Sequence, residues 1–113
     1  MVANIQILFE NRDFWVELEG ALSACLVEAS NTKFHDWCDG LIPDSHEQQG
    51  HNEIIYGTAF IGPTGQSKCH FRLTLPLNPD GDWLAFIARN CSGTAWFKYS
   101  PKDALLEMNL SEF

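Results

Sequence analysis

Apolar residues recur along this chain with two different periods. Between residues 14 and 29 they return every three to four positions. Turning each residue by about 100° gathers Phe14, Leu18, Ala21, Leu22, Cys25 and Ala29 into one stripe, widened by Trp15 and Leu26. Asn11 stands ahead of the stripe as an N-cap, and Asp13 and Glu17 put negative charge near the positive end of a helix dipole. Residues 11–29 therefore read as an amphipathic helix, with Val16 and Val27 on its outer side. A hairpin of residues 5–9 with residues 15–19 competes, because Phe14, Val16 and Leu18 also alternate; the Ala/Leu continuation favours helix. In residues 1–10, Ile5, Ile7 and Phe9 alternate with Gln6, Leu8 and Glu10, which leaves strand and helix both open.

From residue 53 the period changes to two. Residues 53–61 are rich in β-branched and aromatic side chains, and residues 68–75 set Cys69, Phe71, Leu73 and Leu75 against His70, Arg72 and Thr74. Turn signals at residues 62–66, 78–82 and 90–93 divide the stretch from residue 52 to 99 into four strands of one antiparallel meander, the third over residues 83–89 and the fourth over residues 94–99. Ser100, Pro101 and Asp103 read as a helix start, so residues 104–110 are expected to form a short helix. Between the long helix and the meander, residues 33–52 are polar, with Phe34, Trp37, Leu41 and Ile42 as apolar anchors. A helical turn is expected at residues 34–38 and the least order at residues 44–51. The expected fold is α+β: an N-terminal amphipathic helix packed on a four-stranded antiparallel meander, with a short C-terminal helix, in a single domain over residues 1–113.

If each turn closes symmetrically, Ala59 lies opposite His70, Gly57 opposite Arg72, and Arg72 opposite Ala88. One sheet face then collects Ile54, Tyr56, Phe60, Phe71 and Leu73 beneath the helix. On the other, His70 and Arg72 stand in a hollow of small residues, among them Gly57, Ala59 and Ala88, able to grip an anion or carboxylate; a solvated face with Arg72 lying over its neighbours is the plainer reading.

Charge narrows the classes of partner. Seven Lys and Arg against fifteen Asp and Glu give a net charge of -8, which repels phosphate backbones and anionic lipid. Neither direct nucleic-acid binding nor membrane association is expected; a basic protein is the partner such a charge steers toward. The first residues carry no basic cluster or long apolar core of the secretory kind, so a cytoplasmic location is expected. Cys25, Cys38, Cys69 and Cys91 are scattered and read as reduced core thiols.

Catalytic and metal chemistry lack a local pattern. His35 and Cys38 are three apart, a spacing that suits two zinc ligands, with His46, His51, Cys69 or His70 to complete a set. There is no Cys-x-x-Cys pair, and Cys69 and His70 point to opposite faces of one strand, so no metal or cofactor is assigned. Cys38 or Cys91 as a nucleophile would need a neighbouring cation or base, and nothing local supplies one. Asp80 and Asp82 are explained by turn chemistry. No enzyme activity is expected.

Asp82-Trp83-Leu84 after a strand and turn, followed by Leu105-Leu106-Glu107-Met108-Asn109-Leu110, resembles the sheet-then-helix segment of acidic secretion-chaperone domains. The resemblance covers less than half of the chain, without that family's additional strands and final helix. In size and charge the chain is also similar to toxin-neutralising immunity proteins and phage-encoded blockers of defence nucleases. The expected function is a non-enzymatic, acidic protein-binding module of the inhibitor or immunity type that neutralises a basic partner, possible targets being a toxin or nuclease. A secretion-chaperone-like protein and a small-molecule or anion binder at His70 and Arg72 are the alternatives. Trp37 is the expected anchor, with Asp36, Asp39, Asp44 and Glu47 as steering charges. Self-association as a homodimer is left open.

Overall fold

Asn11 divides the N-terminal helical segment in two. The computed structural model describes residues 5–30, 37–62, 67–76 and 82–110, and in it α1 (Ile5–Glu10) ends one residue before α2 (Arg12–Ser30) begins. The Asn11 Oδ1 accepts from the Phe14 backbone N–H at 3.2 Å, the bond an N-cap makes. Residues 5–9 are thus helical, which settles the question left open for them and rules out the hairpin. Trp15 ties the two helices together by donating its indole N–H to the Leu8 carbonyl at 3.1 Å.

The sheet has five strands in the order β1-β2-β3-β5-β4 and is mixed, not a four-stranded antiparallel meander. β1 (Trp37–Gln49), β2 (Asn52–Gly62) and β3 (Ser67–Pro76) are antiparallel neighbours. α3 (Trp83–Asn90) and β4 (Phe97–Ser100) follow, then a single 3-10 turn (Pro101–Asp103) and β5 (Leu105–Asn109), which pairs parallel to β3 and antiparallel to β4. A parallel pair needs a crossover connection, and the segment through α3 provides it.

Three expectations are corrected here. Residues 83–89 form a helix, because Trp83, Phe86 and Ile87 share one helical face and Asp82 accepts from the Ala85 N–H at 3.1 Å, capping the first turn. Residues 105–110 form no helix: Leu106, Met108 and Leu110 alternate with Leu105, Glu107 and Asn109 and fill the core from a strand. Ser100 makes no side-chain cap, and the turn it begins stops after Asp103 at Ala104, whose φ is 50°. Residues 37–49 form a strand to Gln49 closed by a Gly50-His51 turn, so the described part of the polar connection is ordered; Phe34, His35 and Asp36 lie outside the described residues.

The register is offset by one residue from the symmetric expectation. His70 faces Thr58, Arg72 faces Tyr56, and Arg72's other neighbour is Glu107 on β5. Every side chain of β2 thereby changes face relative to β3. Ile55, Ala59 and Ile61 join Phe71, Leu73 and Leu75 beneath the helices, while Tyr56 and Phe60 share the outer face with His70 and Arg72. Leu18, Leu22 and Leu26 of α2 close the core with Leu106 and Met108 of β5. α3 packs beside α2, where the Phe14 and Trp83 rings meet edge-on at 5.7 Å. All three helices therefore cover one face, and the other is open.

Gly57 is required where it stands. A Cβ there would collide with the Ile42 carbonyl oxygen of β1 and lie 2.6 Å from the Phe71 ring opposite, so its absence lets β1, β2 and Phe71 close together.

Candidate functional site: the acidic edge of the sheet

The exposed edge of β1 and the helices beside it hold most of the residues that the sequence singles out. β1 pairs only with β2, so its outer edge presents backbone groups that need other partners. α2 supplies them along the first half of the strand. Ser23 Oγ accepts from Cys38 N–H at 2.9 Å and donates to the Cys38 carbonyl at 3.2 Å. One helical turn earlier, Glu19 Oε2 accepts from Leu41 N–H at 3.1 Å. Burial pushes the Glu19 carboxyl up from its ordinary 4.5, and Asp39 adds to this, against the Leu41 N–H and Arg12, which act to lower it.

Two bulges interrupt the pairing, one between Cys38 and Gly40 and one between Pro43 and Ser45. The extra residues are Asp39 and Asp44, both exposed, so each bulge carries a charge outward. Beyond the second bulge α2 no longer reaches the strand, and side-chain pairs on both faces hold it instead. On the helix side His46 Nδ1 lies 3.5 Å from Oε2 of the buried Glu53, and Phe9 sets its ring edge-on to His46 at 5.2 Å. On the outer face Glu47 accepts from the Tyr56 hydroxyl and, at 3.0 Å, from Gln49 Nε2. The Glu47 carboxylate holds the Tyr56 phenol above its ordinary value.

Between the helices and β1 lies a groove of about 410 Å³. Its wall is apolar, with Phe9 and Trp15 beneath and Val16 and Ile42 at its margins, each 52% exposed. Its rim is acidic: Glu10, Glu19 and Asp39 stand against a single cation, Arg12. Val16 blurs the apolar stripe of α2 in the sequence, and here it belongs to a second apolar surface.

The predicted site residues are therefore strung along the strand rather than gathered in a loop. Trp37 begins β1 at 39% exposure, Asp39 lines the groove, and Asp44 and Glu47 lie beyond it. Asp36 falls outside the described residues. Glu10, Glu19, Val16 and Ile42 went unassigned in the sequence because nothing local says that a helix lies along this edge.

His70 and Arg72 are both exposed on the open face, without the expected hollow of small residues, since Gly57 and Ala59 face the core. A different cavity adjoins Arg72, bounded by Thr74, Lys98, Glu107 and Asn109, and His70 does not line it. The four cysteines are free and buried. Burial pushes the Cys38 and Cys91 thiols up to about 12, which leaves neither fit to act as a nucleophile near neutral pH. Among the described residues no three His, Cys, Asp or Glu side chains converge as metal ligands would, and no described helix is long and apolar enough to cross a membrane.

No protein-family model matches the chain, and no curated protein or solved structure shows a detectable similarity to it. The surface itself must carry the functional reading.

Proposed function

We propose that this chain is a non-enzymatic protein-binding module that holds an apolar, basic segment of a partner protein against the β1 edge. The observation that carries the proposal is the groove between β1 and the helices, apolar in its wall and acidic on its rim. Exposed Val16 and Ile42 offer apolar area that a partner can cover, and Glu10, Glu19 and Asp39 select for Lys or Arg beside it. The net charge of -8 draws such a partner in from a distance. Trp37, at the start of the same edge, extends the contact. A basic toxin or nuclease neutralised by this surface is the leading form of the proposal.

A second form, a chaperone for a secreted protein, draws support from the order of elements. A helix follows the three-strand sheet at Asp82-Trp83-Leu84, and two further strands come after it. Against it, residues 105–110, which carry part of the resemblance as a helix, form a strand, and no final helix follows among the described residues.

Capture of partners from lysate by the wild-type chain and by Ile42→Asp and Asp39→Lys variants tests the surface. A partner held at low salt, released at high salt and lost to both variants is the expected result. A partner held equally by all three proteins would refute the groove. Limited proteolysis of the complex then separates the two forms: an inhibitor protects a folded domain and blocks its activity, whereas a chaperone protects a short extended segment.

A further inference from the structure

The second half of the β1 edge has no helix along it. In an antiparallel ladder, successive residues direct their backbone N–H and C=O alternately toward the neighbouring strand and away from it. The bonds to α2 fix the phase on β1. Cys38, whose N–H and C=O both meet Ser23 Oγ, and Leu41, whose N–H meets Glu19, turn these groups away from β2. Followed through the register and past the second bulge, the same phase turns Pro43, His46 and Gln48 outward. Pro43 has no N–H to offer there, the position in which an edge strand tolerates proline. His46 and Gln48 each present both an N–H and a C=O, and among the described residues no backbone bond beyond the sheet meets them. The His46–Glu53 and Glu47–Tyr56 pairs hold this half in place but leave its backbone edge open, and residues 44–49 are all exposed.

We propose that an extended, basic segment of the partner pairs antiparallel with residues 45–49 of β1 as a further strand of the sheet, with Lys or Arg opposite Glu47. This rests on the protein-binding reading of the groove and adds the manner in which the segment is held. The groove leads onto this edge: Phe9 and Pro43 line it, and the Phe9 ring also meets His46. Residues of the added strand opposite His46 and Gln48 exchange backbone bonds with them and turn their side chains to the helix side, beside Phe9, where apolar groups suit. The residue opposite Glu47 lies on the outer face in the closer, non-hydrogen-bonded kind of pair, where an opposite charge stabilises. Tyr56 and Gln49 already orient the Glu47 carboxylate, and Asp44 in the bulge adds a second anion. A second copy of this chain fits poorly. Pairing His46 of one copy with Gln48 of the other sets the two Glu47 side chains directly opposite, and like charges there destabilise.

Backbone amide NMR of the full chain, titrated with a short peptide of alternating Lys and Val blocked at both ends, tests the assignment. Shifts centred on residues 45–49 are expected, with slowed exchange of the His46 and Gln48 N–H groups. In the proposed alignment the Val nitrogens face β1 and the Lys nitrogens face away. Methylating the Val nitrogens should therefore weaken binding roughly tenfold or more, and methylating the Lys nitrogens should change it by less than about twofold. Gln48→Pro removes an outward N–H without touching the β2 ladder and should weaken binding similarly, an unchanged amide spectrum elsewhere establishing that it folds. Glu47→Lys should shift the preference to a peptide of alternating Glu and Val. Absence of shifts at residues 45–49, any other response to N-methylation, or a dimer in sedimentation with His46 and Gln48 protected before peptide is added would each overturn the added strand. The groove is judged separately in lysate capture. A partner lost to Ile42→Asp yet fully held by Gln48→Pro leaves the groove standing and overturns the added strand, whereas a partner held by Ile42→Asp and lost to Gln48→Pro refutes the groove alone.

Discussion

β1 runs for 13 residues along one edge of the sheet, whereas β4 closes the other with 4. A short edge offers little unpaired backbone to other chains, and β4 needs no further protection than the half-buried Phe97 and Tyr99 packed against the core. A long edge must be guarded along its length. α2 guards the first half of β1 with Ser23 and Glu19, bulges carry Asp39 and Asp44 outward, and the His46–Glu53 and Glu47–Tyr56 pairs hold the remainder. Guarding an edge with a helix creates a groove between them, and that groove is where the proposed partner docks. At β4 no described α-helix lies alongside, and the neighbouring cavity opens instead onto the row of Arg72, Glu107 and Lys98 on the bare face.

The sharpest way to separate the two edges is Gly57→Ala. The added methyl meets backbone of β1 as well as the Phe71 ring, so a loss of about 3 kcal/mol is expected in chemical denaturation. Native-state amide exchange should show protection lost first in β1, with β4 and β5 retaining theirs; uniform loss would mean that the edges do not respond independently. His46→Ala comes next. It removes the only side chain within ion-pair distance of the buried Glu53 among the described residues; because Glu53 Oε2 already accepts no hydrogen bond, taking away its nearest polar neighbour is expected to cost about 2 kcal/mol in chemical denaturation.

Glu19 allows a finer test, because burial and hydrogen bonding pull it in opposite directions. Glu19→Ala leaves the Leu41 N–H without its acceptor and should cost about 1 kcal/mol. Glu19→Gln keeps an acceptor and removes the charge. Since the folded-state pKa is raised, the wild-type carboxyl contributes stability below its ordinary value of 4.5 and loses that contribution as pH rises through the folded value. Glu19→Gln should therefore flatten stability against pH above 4.5 and leave the protein no less stable at neutral pH; thermal melts across that window check the sign. The smallest effect is expected from Ile42→Asp on β1 and Lys98→Ala on β4. Both side chains are exposed, so each should change stability by no more than about 0.5 kcal/mol, while only the first abolishes capture of the partner.

Much of this was legible where the signal is local. The α2 stripe, the Asn11 cap, the antiparallel pairing of β2 with β3 and the alternation of β3 all stand in the sequence as they stand in the fold, although the register of that pair does not. The α3 signal was present too, in Asp82 as a cap three residues before Ala85 and in Trp83, Phe86 and Ile87 at helical spacing; the turn signal that Asp80-Gly81 gives in the sequence obscured it. β5 was equally readable as alternation from Leu106 to Leu110, and the Ser-Pro start ahead of it drew the reading toward helix. β1 had no comparable signal. With Gly40, Pro43 and two bulges, its side chains keep no single period, and it is a strand because β2 pairs with it and α2 covers its edge.

The same division holds for the candidate sites. Residue types alone determined that the chain is acidic, that one helix is amphipathic and that two neighbouring strands pair. Tertiary structure decided which of these meet. A register offset of one residue moved Gly57 and Ala59 into the core and removed the hollow expected at Arg72, because side chains alternate at every position along a strand. A parallel pairing between residues 70–74 and 105–109 brought Glu107 beside Arg72, a contact between segments more than thirty positions apart. The groove likewise arises only when a helix is laid along an edge, since neither element contains it alone.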